Sequence, residues 1–150
     1  MTLVRQATQA DAPDAGRLLH DFNVEFDEPT PSPAWLAERV AALCDAGDAV
    51  VLLGGEGPDG IAVLRFRPAI WTSGLECYLA ELYVAPAHRG RGLGGALLDA
   101  AMRLARARGA DTMDVGVDEP DAVARHLYER AGFTNRGADG TLMFVYERDL

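Results

Sequence analysis

The sequence contains one glycine-rich stretch, residues 90–95, whose composition suits the binding of a phosphate group. Glycine has no Cβ, so the backbone there can bend until several N–H groups converge on one anion at the start of a helix. Two arginines in and beside the stretch, Arg89 and Arg91, add positive charge and fork-shaped donors for phosphate oxygens. Because the stretch also satisfies G-x-G-x-x-G, three alternatives stand: a dinucleotide loop, a loop for another phosphate, or a flexible turn with solvated arginines.

The residues that most often bind metals or form disulfides show no suitable pattern. Cys44 and Cys77 are far apart in the chain and lie in no C-x-x-C pair, which favours two reduced cysteines. The three histidines are spaced so that no two share a helix face with a carboxylate, and we therefore expect no metal site. They are His20, His88 and His126.

The elements around the glycine stretch are predicted from hydrophobic periodicity and turn residues. A strand at 2–7 precedes two helices at 11–26 and 32–47. Strands at 48–55, 60–70 and 75–84, joined by short turns, should be antiparallel. A long helix at 92–109, a strand at 111–117 and a helix at 119–132 follow, and residues 133–137 and 141–150 are predicted as a final antiparallel pair.

The order of these elements predicts a mixed α/β (α+β) fold. The strand, helix and strand from 75 to 117 form one right-handed crossover, so those two strands should be parallel neighbours. We expect a mostly antiparallel sheet of six to seven strands with a parallel central pair and four flanking helices. A dinucleotide fold does not fit, because five residues separate Val84 from Gly90 and only 32 residues follow Asp118.

Composition limits the possible partners. The chain has 150 residues and a net charge of -9, which predicts one domain over 1–150 and no nucleic-acid partner. The arginines between His88 and Arg108 give enough local positive charge for a small phosphorylated molecule. Since no apolar run approaches the roughly 18 residues of a membrane span, we expect a cytoplasmic protein without a membrane partner.

Two motifs give the sequence its resemblance to a known family. Arg89, Gly92 and Gly94 match R/Q-x-x-G-x-G/A after a strand. Residues 121–133 match N-x-x-A-x-x-L-Y-x-x-x-G-F at Ala124, Leu127, Tyr128, Gly132 and Phe133. In their order and spacing the two motifs resemble those of the GNAT-superfamily N-acetyltransferases, and the resemblance covers essentially the whole chain. It departs at Asp121, where the family often has Asn, so Asp121 is not counted as a cofactor ligand.

The resemblance implies acetyl-CoA as acyl donor, without a metal. Its pantetheine arm would pair with the backbone of the strand that ends at Val84, and this strand usually carries a bulge that separates it from its parallel neighbour. The pyrophosphate would lie on the amides of the glycine stretch. The implied cofactor residues are Leu82, Tyr83, Val84, Arg89, Gly90, Arg91, Gly92, Leu93, Gly94 and Gly95.

The resemblance also implies direct transfer of the acetyl group to a primary amine. Tyr128 is at the family position of the acid that protonates the departing thiolate, the alternative being a buried structural tyrosine. Glu81 is the candidate base, because a carboxylate in an apolar strand must be paired or face a wet cleft. Strand alternation would place it with Leu79 and Tyr83 on one face, and an ion pair with Arg65 or Arg67 is the alternative.

The acceptor is expected to be a small cationic amine. The segment of residues 21–33, which leads from the first helix to the second and commonly lines the acceptor site in this family, carries Phe22, Glu25, Phe26 and Asp27, although an acidic loop can also be simply solvated. A peptide or protein amine, and a CoA-binding regulatory module without turnover, are the alternatives. The family also allows a homodimer, with the final hairpin as a candidate interface.

Overall fold

A computed structural model describes residues 3–150, and the predicted start of the first strand at Thr2 lies outside the described residues. The chain divides into two compact units, Met1–Val115 and Gly116–Leu150. The first unit contains a five-stranded sheet in the order β1-β2-β3-β4-β5. Its elements are β1 Val4–Gln6, α1 Ala12–Glu25, α2 Pro33–Asp45, β2 Ala49–Gly54, β3 Gly60–Pro68, β4 Leu75–Val84, α3 Leu93–Ala107 and β5 Ala110–Val115.

The pairing of the strands confirms the predicted antiparallel neighbours and the parallel pair, but within residues 3–150 that pair lies at the edge of the sheet, because β5 is the last strand in the order. β1 to β4 form consecutive antiparallel pairs, and β4 and β5 are parallel. The crossover between β4 and β5 runs through α3, as the periodicity predicted. Short 3-10 turns at Gln9–Asp11 and Pro86–His88 lead into α1 and into the glycine loop.

Helices cover both faces of the sheet. The α1–α2 face packs on alternate residues of β2 and β3, including Val51, Leu53, Ile61 and Val63. α3 covers the opposite face, where Gly54 and Gly60 leave room for Leu93 and Leu97: a Cβ built on Gly54 would lie 2.6 Å from the Leu93 side chain. Both glycines are therefore required by the close approach of the helix to the sheet.

The second unit contains α4 Ala122–Arg130 and, after it, an extended C-terminal segment. The predicted final antiparallel pair is wrong for the described residues, because only one bridge forms, between Arg136 and Leu142. Consequently the sheet has five strands among residues 3–150 rather than six to seven. A turn does form, with Gly137 N–H bonded to the Thr141 carbonyl oxygen at 2.8 Å, but an isolated two-stranded ribbon is marginal without a face to pack on.

Candidate active site

The second half of β4 is paired with no strand on its β5 side among the described residues. Pairing between the two strands ends at Leu79 and Val115, whereas β4 continues to Val84. On its other side β4 stays paired with β3 up to the last register pair, Gly60 and Val84. Backbone groups of β4 beyond Leu79 are therefore available for an added strand, as at the edge of any sheet.

A bulge in β4 occurs at the point where β5 diverges. Val63 of β3 is opposite Glu81, but the next residue, Leu64, is opposite Leu79, so Ala80 is the extra residue. The bulge that the resemblance implied is thus present.

The bulge also corrects the predicted alternation. Val63 and Ile61 face α1 and α2, so their partners Glu81 and Tyr83 lie on that face, whereas Leu79 lies with Leu64 on the α3 face. The prediction that Leu79, Glu81 and Tyr83 share one face is wrong, because the extra residue reverses the alternation between Leu79 and Glu81.

The Glu81 carboxylate makes no hydrogen bond or ion pair within residues 3–150. The two arginines considered as its partners bond elsewhere: Arg65 donates to the Asp48 carbonyl oxygen at 2.8 Å, and Arg67 pairs with Glu76. Burial raises the pKa of the Glu81 carboxyl above its ordinary value. An unpaired carboxylate with a raised pKa is suited to accept a proton.

The glycine loop is built from two left-handed residues followed directly by a helix. Gly90 has φ 75° and Gly92, the residue before α3, has φ 83°, a conformation that favours glycine. The first three amides of α3, from Leu93, Gly94 and Gly95, donate no hydrogen bond within the described chain, whereas Ala96 N–H already bonds to the Gly92 carbonyl oxygen at 3.0 Å. These amides therefore form an open anion site at the positive end of a 15-residue helix.

The two arginines of the loop differ in their surroundings. Arg91 is exposed and has no ion-pair partner among residues 3–150. Arg89 instead donates from Nε to the Val84 carbonyl oxygen at 2.9 Å and from Nη2 to Glu25 Oε1 at 2.8 Å. Arg91 is thus free to contact an anion, while Arg89 connects the loop to α1.

The expected acceptor residues lie at the C-terminal end of α1. The Phe22 ring stacks on that of Tyr83 with 5.0 Å between centroids and meets Phe26 edge-on at 5.4 Å. Asp27 follows the helix with a positive φ of 55° and is exposed. Because Arg89 donates a hydrogen bond to Glu25, the pKa of the Glu25 carboxyl is lowered.

Tyr128 belongs to the second unit, residues 116–150. It is the buried residue of α4, with 8% of its surface exposed, and its ring lies 5.8 Å from that of Phe133. Asp121 caps α4 by accepting from Ala124 N–H at 3.1 Å. The helix predicted to begin at residue 119 begins at Ala122, three residues later, because Asp121 occupies the N-cap position.

Within 3–150, no group of three His, Cys, Asp or Glu side chains has the geometry of a metal site. No helix in the same range is long and apolar enough to cross a bilayer. The cysteines Cys44 and Cys77 are both free thiols, and burial raises the pKa of Cys77 to about 11.

Comparison with known proteins agrees with this architecture. Residues 17–133 match the model of the acetyltransferase (GNAT) family. A solved structure of an Arthrobacter sp. FB24 protein assigned to the acetyltransferases is 48% identical, with a TM-score of 0.91 over 99% of this chain and 96% of that one.

Two curated relatives carry more specific names. Mycothiol acetyltransferase of Beutenbergia cavernae is 34% identical over 131 residues, which are 83% of this chain and 37% of the relative. Streptothricin acetyltransferase of Streptomyces lavendulae is 36% identical over 93 residues, covering 61% of this chain and 47% of the relative. The chain thus spans less than half the length of these two relatives. The open β4 edge and the glycine loop agree with the family match, which covers 117 residues of the chain (17 to 133). The chain therefore belongs to the acetyltransferase (GNAT) family.

Proposed function

We propose that this protein is an N-acetyltransferase that moves an acetyl group from acetyl-CoA to a primary amine of a small cationic molecule by direct attack. The observation that carries the proposal is the combination, within one unit, of a β4 edge that β5 leaves unpaired after Leu79 and a set of unbonded amides at the start of α3. An extended amide-containing arm and a pyrophosphate are the two chemical groups that such a surface suits.

The residues present fit acetyl-CoA. Leu82, Tyr83 and Val84 offer backbone groups to the pantetheine arm, and the 90–95 loop offers amides to the pyrophosphate. A Cβ built on Gly90 or Gly92 meets no atom within 4 Å, so the space beside both glycines is open. Arg91 would add a charge-assisted hydrogen bond to a phosphate oxygen. Bound there, acetyl-CoA supplies an activated acetyl group as a thioester.

Glu81 is proposed as the general base. An ammonium group has no lone pair for attack, so a proton must leave it, either directly to a carboxylate or through one water. Support comes from the unpaired state of Glu81 and from the pKa that burial raises, which brings the carboxyl closer to the pH at which it works. The bulge at Ala80 turns Glu81 onto the α1–α2 face, the face on which the expected acceptor helix packs.

Tyr128 is proposed as the acid that protonates the leaving thiolate. A phenol with a pKa near 10 can donate a proton to a thiolate and regain it from solvent after product release. Its support is the family position in the second motif together with its burial on α4.

A small cationic amine is the proposed acceptor. That the acceptor is a small molecule is supported by the two relatives named for mycothiol and streptothricin, and that it is cationic is supported by the acidic end of α1. Phe22 and Phe26 provide an apolar wall, and the exposed Asp27 provides negative charge for an ammonium group. A peptide or protein amine is the second candidate acceptor.

Release of free thiol across a panel of amines tests the proposal against a non-catalytic CoA-binding module. The panel contains small diamines, aminosugars, a peptide N-terminus and an anionic amine as control. The enzyme should release CoA in the presence of cationic amines, with mass spectrometry showing one added acetyl group. CoA binding without any amine-dependent release would instead identify a binding module.

A cytoplasmic location and a homodimer are also proposed. Two free thiols agree with a reducing compartment. For the dimer, the support is the apolar C-terminal run, in which Val145 is 89% and Tyr146 90% exposed. Sedimentation should give a dimer for the full chain and a monomer for Val145→Asp, and a wild-type monomer at all concentrations would remove the proposal.

A further inference from the structure

One contact between α1 and the glycine loop has no role in the proposed chemistry. Glu25, the last residue of α1, accepts a hydrogen bond from Arg89 Nη2 at 2.8 Å and another from the Tyr83 hydroxyl at 3.3 Å, both on Oε1. Arg89 Nε donates to the Val84 carbonyl oxygen at 2.9 Å. One guanidinium therefore joins the loop to the end of β4 and to the end of α1.

Aromatic contacts fix the position of this guanidinium. The Arg89 guanidinium carbon lies 5.6 Å from the centroid of the Tyr83 ring, which is 5% exposed and itself stacked on Phe22. The Glu25 side chain is 26% exposed and that of Arg89 44%. A charge-assisted pair with a fixed aromatic base and a second hydrogen bond holds its geometry better than an isolated surface pair.

The direction of the Arg89 side chain argues against a phosphate contact. Tyr83 lies on the α1–α2 face of the sheet, so the guanidinium above its ring is on that face too. α3, whose first amides form the proposed pyrophosphate site, packs on the opposite face. The exposed Arg91 remains for the phosphate.

We infer that Glu25 is a positioning residue for the acetyl-CoA site, because it holds Arg89 as a clamp that fixes the loop of residues 85–92 against β4 and α1. The inference rests on the proposed function for its consequence, since the loop of residues 85–92 leads into the 90–95 stretch that is assigned to the pyrophosphate. In this arrangement Arg89 acts on the cofactor through the shape of the loop, and Glu25 acts through Arg89.

Amide hydrogen exchange of the ligand-free chain tests the clamp without any substrate. Glu25→Ala should raise the exchange of the Ala85, His88 and Arg89 amides, which donate the backbone hydrogen bonds of this loop, by at least about fivefold, because the loop then opens more often. Glu28→Ala, which removes an exposed acid of the same charge nearby, should leave that exchange unchanged. Arg91→Ala should also leave it unchanged.

Calorimetry with CoA tests the consequence for binding. Glu25→Ala and Arg89→Ala should each weaken CoA about five- to tenfold, and the double variant should be no weaker than Arg89→Ala, as for two residues acting as one unit. Only Arg91→Ala should flatten the dependence of CoA affinity on salt concentration. Glu25→Gln keeps the acceptor oxygen and should recover most of the affinity for CoA. This variant also provides the test if Glu25→Ala fails to fold.

Two results would overturn the clamp: unchanged loop exchange in Glu25→Ala, or binding losses of Glu25→Ala and Arg89→Ala that add in the double variant. If Arg89→Ala flattens the salt dependence of CoA affinity as much as Arg91→Ala does, Arg89 contacts the phosphate directly. If the wild-type chain binds no CoA, the proposed function fails, while the exchange comparison still decides the clamp.

Discussion

At the scale of single residues, Glu81 combines burial with the lack of a partner among residues 3–150. Glu81→Gln removes the base and should lower kcat/KM about 100-fold. Since no ion pair is lost and a partly buried carboxylate is removed, its Tm at neutral pH should be equal to or above that of the wild type. Glu76→Gln on the same strand, which loses the pair with Arg67, is the control and should keep its activity. Full activity of Glu81→Gln, or a marked fall in its Tm, would show that Glu81 has a structural role and is not the base.

The raised pKa of Glu81 predicts the direction of the pH dependence. The carboxyl must be ionised to accept a proton, so kcat/KM should fall as the pH drops through a pKa above the ordinary 4.5. The ionised carboxyl lowers the stability of the fold at a pH above the folded-state pKa, and this cost disappears below the ordinary pKa of 4.5. Any gain in Tm of Glu81→Gln should therefore vanish at low pH. Profiles of kcat/KM against pH, measured with two amines of different pKa, separate the contribution of the enzyme from that of the amine, because the contribution of the enzyme is the same in both profiles. An acid limb that follows the amine alone would contradict this assignment.

Tyr128 offers a test in which only a hydroxyl changes. Tyr128→Phe should lower kcat at least about tenfold and leave the Kd of CoA within about twofold, because the hydroxyl is proposed to act in the chemical step. Tyr146→Phe, the same change at a residue that is 90% exposed, is the matched control. Turnover equal to that of the wild type in Tyr128→Phe would remove this residue from the mechanism.

At the scale of elements, the left-handed glycine before α3 determines where the first amides of the helix point. Gly92→Val places a β-branched residue at φ 83°, at a strain of roughly 1–3 kcal/mol that moving the loop relieves. We expect it to lose detectable CoA binding while the chain stays folded.

Gly109→Val provides the matched control for that change. Gly109 has φ 90°, and a Cβ built on it meets nothing within 4 Å, as at Gly92, but it lies beyond the other end of α3. This variant should lose similar stability and keep its CoA affinity. If Gly92→Val binds CoA as tightly as Gly109→Val, the assignment of the loop is wrong.

The elements also show which parts of the site the sequence could predict. Local signals were sufficient for the glycine loop and the start of α3, because glycine conformation and helix geometry depend on neighbouring residues. The alternating strand contains no local signal for the bulge at Ala80. The sequence therefore predicted one shared face for Leu79 and Glu81, whereas the structure places them on opposite faces. The Arg89–Glu25 pair joins residues 64 apart, and only the packing of α1 on the sheet brings them together.

At the scale of the whole molecule, the order of strands and helices was predictable and the final pair of strands was not. Antiparallel neighbours and the parallel crossover follow from short turns and chain handedness. The C-terminal run has the composition of a strand, yet it makes one bridge, between Arg136 and Leu142. Its apolar residues need a surface to pack on, which the periodicity of the segment does not specify.

The net charge of -9 also acts at this scale. It repels a polyanion in general, so we expect binding of the proposed acetyl-CoA to depend on local amides and on Arg91 rather than on the field of the molecule. The same field favours cationic acceptors over anionic ones, in agreement with the proposed substrate class.

A crystal structure of the chain with acetyl-CoA would test the central claim most directly. The account predicts pantetheine along β4 beyond Leu79, the pyrophosphate on the amides of the 90–95 loop, and the Tyr128 hydroxyl beside the sulfur. Acetyl-CoA bound elsewhere, or bound with its pyrophosphate away from that loop, would contradict the account.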